Sequence, residues 1–347
     1  MSDADAPDPI GPGSAGTAPS SARRRFLGRG VMLTIAAVSL YLIGPSVLEV
    51  FSSWDQLGDL EPMWLGLVAL AQLAAFVSLW ALQRVALKTR SWLPVVTSQL
   101  AGNAAARIVP GGAATGTAVQ FHLLRTAGIN PAKATSGLTA AGLLQLATTL
   151  TLPLIALPGV LVGAPAPPSL ASAAWLGSIL FAVLFALVAA ALTYDRPLRL
   201  AGQFIEVVRA HTPGLRPSDN SLSLLFLTER DAVIRRLDGR WGRAALFAVA
   251  RAGFDYLSLM IAITAFGAEA RPSFVLLAYA SSTLLSLIPL TPGGLGFVEA
   301  GLTGALTVAG VPPSDAVAAT LLYRLFSFWL PIPIGMLAGV VHRFRSG

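Results

Sequence analysis

Residues 288–299 read Ile-Pro-Leu-Thr-Pro-Gly-Gly-Leu-Gly-Phe-Val-Glu, and a second Pro-Gly-Gly occurs in apolar surroundings at 110–112. Sliding the sequence over itself by 182 residues aligns the two stretches without a gap. Pro110, Gly111 and Gly112 then fall on Pro292, Gly293 and Gly294. Further on, Ala127, Gly128 and Pro131 fall on Ala309, Gly310 and Pro313. So many matches at one offset indicate an internal duplication, which is common in transporter folds.

The composition indicates a membrane protein. Hydrophobic residues make up 54% of the 347 residues and charged residues 12%, whereas a soluble domain carries about a quarter charged residues. Cysteine is absent and the three histidines lie far apart, so we expect no disulfide, metal site or catalytic triad. The net charge of +7 comes from arginines at the ends of apolar runs, which argues against nucleic-acid binding.

Several apolar segments are long enough to cross a bilayer, which takes about 20 residues in a helix. Residues 1–22 lack apolar periodicity and are predicted to be a disordered cytoplasmic tail, whereas 23–347 are predicted to form a membrane transport domain. We therefore predict an all-α polytopic membrane protein. The predicted spans run roughly over 30–50, 63–87, 136–162, 170–194, 244–266 and 316–341.

Basic residues predict the orientation, because short cytoplasmic loops are enriched in Lys and Arg. Lys88, Arg90, Arg125 and Lys133 then lie in the cytoplasm, as do both termini, and the multi-pass chain is expected in the plasma membrane. The cytoplasmic loop 195–243 contains nine arginines. Its apolar residues have spacings that predict amphipathic helices along the inner membrane surface; a solvated loop is the alternative.

The two Pro-Gly-Gly stretches are predicted to enter the membrane from opposite sides. Repeat 1 covers about 63–162 and repeat 2 about 244–341, and three predicted crossings separate the two stretches. An odd number of crossings means that the second stretch enters the membrane from the side opposite to the first, so the two repeats are inverted. Each stretch is interpreted as a re-entrant hairpin of two short helices, because these helices are too short for two spans. Irregular backbone at this depth requires surrounding protein or a water-filled cavity.

The second hairpin tip has the chemistry of an anion site. Thr291 is expected to cap the following helix and Pro292 to occupy its first position. Gly293 and Gly294, like Gly111 and Gly112, would leave backbone N–H groups open to an anion. Alternatively, the glycines allow helices to pack closely.

Charged residues inside a membrane are costly and usually functional. Five occur here: Arg107, Arg251, Asp255, Glu299 and Arg324. The spacing of Arg251 and Asp255 lets them pair, so this pair is either structural or functional. Glu299 is the candidate for gating or proton coupling, and Arg107 and Arg324 are candidates for holding a phosphate.

Residues 288–301, which continue the opening stretch with Ala300 and Gly301, resemble the signature of the lysylphosphatidylglycerol synthase transmembrane (flippase-like) family, which includes YbhN-type proteins. The resemblance covers about 26–345 and implies translocation of lipids or lipid-linked head groups. Members resemble one another in carrying a carboxylate in the first repeat as well, where this chain has Thr117, the residue matched to Glu299. The chain ends at Gly347 without a soluble aminoacyl-transfer domain, so we expect no enzyme activity.

The predicted function is that of a flippase or transporter that moves a lipid or a lipid-linked anionic head group between leaflets, with proton coupling through Glu299. No cofactor is expected. One alternative is a secondary carrier for a small anion. The other is a non-transporting membrane subunit that recruits a lipid-modifying glycosyltransferase or synthase through the basic loop.

Overall fold

The computed structural model describes residues 60–109, 112–162, 168–211, 222–237, 239–286 and 294–346. Every regular element in these ranges is a helix, which confirms the all-α class. The helices are α1 (Pro62–Leu87), α2 (Leu93–Ile108), α3 (Gly112–Thr126), α4 (Pro131–Val162), α5 (Pro168–Thr193), α6 (Asp195–His211), α7 (Leu222–Leu237), α8 (Trp241–Ala265), α9 (Pro272–Leu285), α10 (Phe297–Val308), α11 (Pro313–Arg324) and α12 (Pro331–Ser346).

Some of the sequence predictions fall outside the described residues. They are the disordered tail at 1–22, the first apolar run at 30–50, and five residues of the two tips, namely Pro110, Gly111, Thr291, Pro292 and Gly293.

Four helical stretches within the described ranges are long and apolar enough to cross a bilayer, which supports a multi-pass membrane protein. They are Pro62–Leu87, Pro131–Ala156, Trp241–Ala265 and Pro313–His342. The last stretch is interrupted between α11 and α12 by a π-helical segment at Leu325–Trp329. In it, the amide of Leu330 donates to the carbonyl of Leu325, so the turn is one residue wider than an α-helical turn.

Corresponding helix boundaries recur at the offset of 182 residues. The helices α3 and α10 are followed by Gly128 and Gly310, whose φ angles are 81° and 98°. Glycine is favoured there because a helix commonly ends with one residue in the left-handed region. Pro131 and Pro313 then begin α4 and α11. Proline is favourable at this position, because the N–H of the first helical residue has no partner within the helix in any case.

The contacts between helices also recur at this offset, with the two halves of the chain interchanged. At the centre, α1 packs against α8, its counterpart at the offset. The helix α2 packs on α12, and its counterpart α9 packs on α4. Each Pro-Gly-Gly stretch is flanked by two short helices that contact each other, α2 with α3 and α9 with α10.

Small residues let α12 approach α2 closely. A Cβ atom added to Gly335 would overlap the carbonyl oxygen of Leu100 and lie 2.8 Å from the Cβ of Ala104. One turn further along α12, a Cβ atom on Gly339 would lie 3.4 Å from the Cβ of Ala101, which is an ordinary contact. This seam fixes α12 against α2.

The basic loop contains two helices, as predicted, and they form a hairpin. Asp195 at the start of α6 lies 2.7 Å from Arg230 of α7. The hydrogen bond from Arg230 holds the pKa of the Asp195 carboxyl below its ordinary value. The helix α7 packs in turn on α4, so the hairpin is attached to the bundle through α7.

Candidate functional site

A buried ion pair joins α10 to α11. The Nε and Nη2 atoms of Arg324 lie 2.8 and 2.7 Å from Oε1 of Glu299. The two side chains are only 9% and 12% exposed. Of the five charged residues predicted to lie inside the membrane, these two therefore neutralise each other across a helix interface.

The pair leaves hydrogen-bonding capacity unused. The second carboxylate oxygen of Glu299, Oε2, is buried and has no hydrogen-bond partner among the described residues. The same is true of the hydroxyl of Thr320, which lies one turn before Arg324 on α11. Buried polar atoms without partners cost free energy, so the site is suited to a further polar group.

Arg107 lies beside this pair and is bonded to the π-helical segment. Its guanidinium donates to the carbonyl of Phe328 and, at 2.8 Å, to that of Ser327. The guanidinium carbons of Arg107 and Arg324 lie 4.5 and 4.2 Å from the centre of the Phe328 ring. Arg107 thus holds backbone carbonyls at the helix break, and both arginines are placed around one aromatic ring.

A separate buried cluster surrounds Asp255 of α8. Its carboxylate accepts hydrogen bonds from Gln72 of α1 at 3.0 Å, from Arg251 at 3.0 Å and from Tyr279 of α9 at 2.8 Å. The hydroxyl of Ser258 donates to the side-chain carbonyl of Gln72 at 2.8 Å. The predicted pairing of Arg251 with Asp255 is confirmed, and the pair connects three helices.

Replacing Asp255 by asparagine is expected to destabilise the protein by about 3 kcal/mol, because removing one partner of a buried ion pair leaves the other uncompensated. Thermal unfolding in detergent, followed by circular dichroism, measures this. The matched control is Glu269→Gln, which removes a carboxylate from an exposed position and should leave stability within about 0.5 kcal/mol of the wild type. Equal stability of the two variants would contradict a structural role for Asp255.

The second half-helix begins later than predicted. The helix α10 begins at Phe297, after Gly296, rather than at Pro292, whereas the roles predicted for Thr291 and Pro292 lie outside the described residues. Gly294 and Gly296 have φ angles of 73° and 77°, and this left-handed backbone prevents a right-handed helix from starting earlier. Glu299 consequently lies in the first turn of α10, where the helix dipole favours a carboxylate.

Among the described residues of the first Pro-Gly-Gly stretch and its flanking helices, there is no counterpart of this ion pair. Gly112 has a φ of 52°, in the same left-handed region as Gly294, and α3 begins there directly. Thr117, the residue matched to Glu299, donates to the carbonyl of Ala113 at 2.8 Å and is exposed. Gln120 instead donates to Gln83 of α1 at 2.9 Å. The two stretches thus share a left-handed glycine at the matched position, and their side-chain chemistry differs.

Several residues around these clusters were not predicted from the sequence. Gln72, Tyr279 and Phe328 complete the two sites. Gln72 could have been noticed as a polar residue in the middle of an apolar span, since such residues often bond across helices. The break at the π-helical segment also has a signal, because Pro331 and Pro333 lie inside the last predicted span and a proline within a helix interrupts its hydrogen bonds.

Comparison with known proteins agrees with the family resemblance. A UPF0104 membrane protein of Methanothermobacter thermautotrophicus is 36% identical over 84 residues, which are 24% of this chain and 25% of that protein. One of Pyrococcus horikoshii is 32% identical over 83 residues, 24% of this chain and 25% of the relative. One of Methanocaldococcus jannaschii is 44% identical over 55 residues, 16% of this chain and 24% of the relative.

These alignments span about a quarter of each relative. The profile of a family described as "Lysylphosphatidylglycerol synthase TM region" matches far more of the chain, residues 29–335. The protein therefore belongs to the lysylphosphatidylglycerol synthase TM region family of membrane proteins.

Proposed function

We propose that this protein moves a lipid with an anionic head group between the leaflets of the plasma membrane, without forming or breaking covalent bonds. The observation that carries the proposal is the buried pair of Glu299 and Arg324 with its unpartnered carboxylate oxygen. An arginine that is paired with a carboxylate can bind a phosphate once that carboxylate is protonated or moves away.

The local charge favours an anionic substrate. Arg107 and Arg324 bring two positive charges around Phe328, and Glu299 brings one negative charge. Because Arg107 already donates to two backbone carbonyls, Arg324 is the better candidate for contact with the phosphate. Arg107 then acts by positioning the π-helical segment that follows Arg324.

We also propose that the two halves are inverted repeats with re-entrant hairpins, so that the substrate site is reached alternately from each side. The recurrence of helix boundaries at one offset supports this arrangement. The exchange of partners between α2 with α12 and α9 with α4 also supports it, because a two-fold relation between repeats maps one such contact onto the other.

A matched pair of positions tests the inversion. Ala132 and Ser314 are both exposed, lie 182 residues apart and are the second residues of α4 and α11. In intact cells, Ser314→Cys should react with a membrane-impermeant thiol reagent, whereas Ala132→Cys should react only after permeabilisation. The chain has no native cysteine to interfere. Reaction of both from the same side would contradict inverted repeats.

The function itself is tested with purified protein in liposomes that carry a fluorescent phospholipid in both leaflets. We expect the protein to speed exchange of labelled phosphatidylglycerol between leaflets, measured by dithionite quenching, and to act more slowly on phosphatidylcholine. Uptake of inorganic phosphate without lipid exchange would favour the small-anion carrier instead. Absence of both activities, with loss of a bound enzyme on deletion of 195–243, would favour the recruiting subunit.

A further inference from the structure

The chain turns sharply where α5 gives way to α6. The segments 181–191 and 195–207 are bent by 98° relative to each other. The 26 residues of α5 are predicted to cross the bilayer. A helix at nearly a right angle to a membrane span runs parallel to the membrane plane.

One side of α6 is fixed against α7. A Cβ atom added to Gly202 would lie 2.6 Å from the Cα of Ser223, so the two helices are in close contact there. The hydroxyl of Ser223 donates to the carbonyl of Arg199 at 3.3 Å. With the ion pair of Asp195 and Arg230, these contacts determine which face of α6 is turned toward α7.

The opposite face of α6 is apolar and exposed. Leu200, Phe204 and Val207 are 65%, 69% and 56% exposed. Their spacing of four and three residues places them on one helical face, about half a turn from Gly202. Exposed Arg196 and Gln203 border this face. An exposed apolar stripe bordered by cationic and polar side chains is the pattern of a helix that lies in a membrane interface.

We propose that α6 is an interfacial helix that binds anionic phospholipids of the cytoplasmic leaflet. Leu200, Phe204 and Val207 enter the boundary of the acyl chains, and Arg196 contacts the head-group phosphates. The charge of the surrounding segment matches such a surface, because residues 195–243 contain nine arginines against six acidic residues, and cytoplasmic leaflets are negatively charged. The proposal is independent of lipid transport.

The test measures contact between α6 and lipid in the full-length protein. Phe204→Cys and the matched control Gln203→Cys are each labelled with the fluorophore NBD and placed in nanodiscs that contain a lipid with a nitroxide on its acyl chain. We expect blue-shifted emission and strong quenching at 204, and several-fold weaker quenching at 203. Equal quenching at both positions, or none at 204, would overturn the proposal and indicate that water or another protein covers this face.

The lipid class is tested with the same two labels. Quenching at 204 should rise when phosphatidylglycerol is added to phosphatidylcholine nanodiscs, and Arg196→Gln should remove most of that rise. Quenching that does not depend on lipid charge would contradict the assignment to anionic phospholipids. Since neither measurement involves transport, a protein that fails to exchange lipid between leaflets can still give the expected result.

Discussion

Replacing Arg324 by alanine is expected to lower lipid exchange in proteoliposomes at least about tenfold, since a hydrogen bond to a charged group contributes about 1.5–3 kcal/mol. Arg324 is buried against Glu299 and is the guanidinium best placed to receive a phosphate. Both pH-driven and downhill transport should fall, because the substrate would be bound more weakly in either case.

Glu299→Gln is expected to separate the two kinds of transport. Moving a singly charged anionic lipid inward against an inside-negative potential costs about 2.3 kcal/mol per 100 mV. If Glu299 takes a proton outside and releases it inside, the proton offsets this cost. The glutamine variant should therefore lose pH-driven accumulation and keep downhill exchange. Accumulation at the wild-type level in Glu299→Gln would rule out proton coupling through this residue.

A double variant distinguishes lost transport from lost folding. Arg324→Ala leaves the carboxylate of Glu299 buried without its partner, which itself destabilises the protein. Adding Glu299→Gln to Arg324→Ala removes that charge, so stability should partly return whereas transport should not. Recovery of transport together with stability would show that Arg324 is structural only.

Gly335→Ala is expected to destabilise the protein by about 3 kcal/mol, because overpacking a tight contact costs about 1–3 kcal/mol and here the obstacle is backbone. The added methyl group would overlap the carbonyl of Leu100 and press on Ala104. The helices α2 and α12 would have to separate. Thermal unfolding in detergent, followed by circular dichroism, measures the loss.

Gly339→Ala is the matched control on the same helix. Its methyl group would meet Ala101 at 3.4 Å, and alanine favours a helix over glycine by up to about 1 kcal/mol. We therefore expect this variant to be as stable as the wild type or slightly more stable. If both variants unfold alike, the close approach at Gly335 does not determine the seam.

The parts of the fold that the sequence predicted well depend on local properties. The predicted spans at 63–87 and 244–266 agree with α1 and α8 within three residues, because length and hydropathy are sufficient to recognise such helices. The pair of Arg251 and Asp255 was predictable for the same reason, since one helical turn separates them.

The ion pair of Glu299 and Arg324 was not predictable in this way. The two residues are 25 positions apart on different helices, and only the packing of α10 on α11 brings them together. Arg107 was expected to hold a phosphate, but its guanidinium donates to the carbonyls of Ser327 and Phe328. In an α-helix the carbonyl of Ser327 would accept from the residue four positions later, but that residue is Pro331, which has no N–H.

The π-helical segment also affects which insertions and deletions the last span tolerates. The segment contains one residue more than a regular α-helical turn. Every residue after it is therefore rotated by about 100° around the helix axis, to the position that the preceding residue would have in an unbroken α-helix. Without the extra residue, Ile334 rather than Gly335 would face the carbonyl of Leu100. A one-residue deletion within 325–329 therefore preserves the α2–α12 seam, whereas the same deletion between 330 and 334 replaces glycine there with a larger residue.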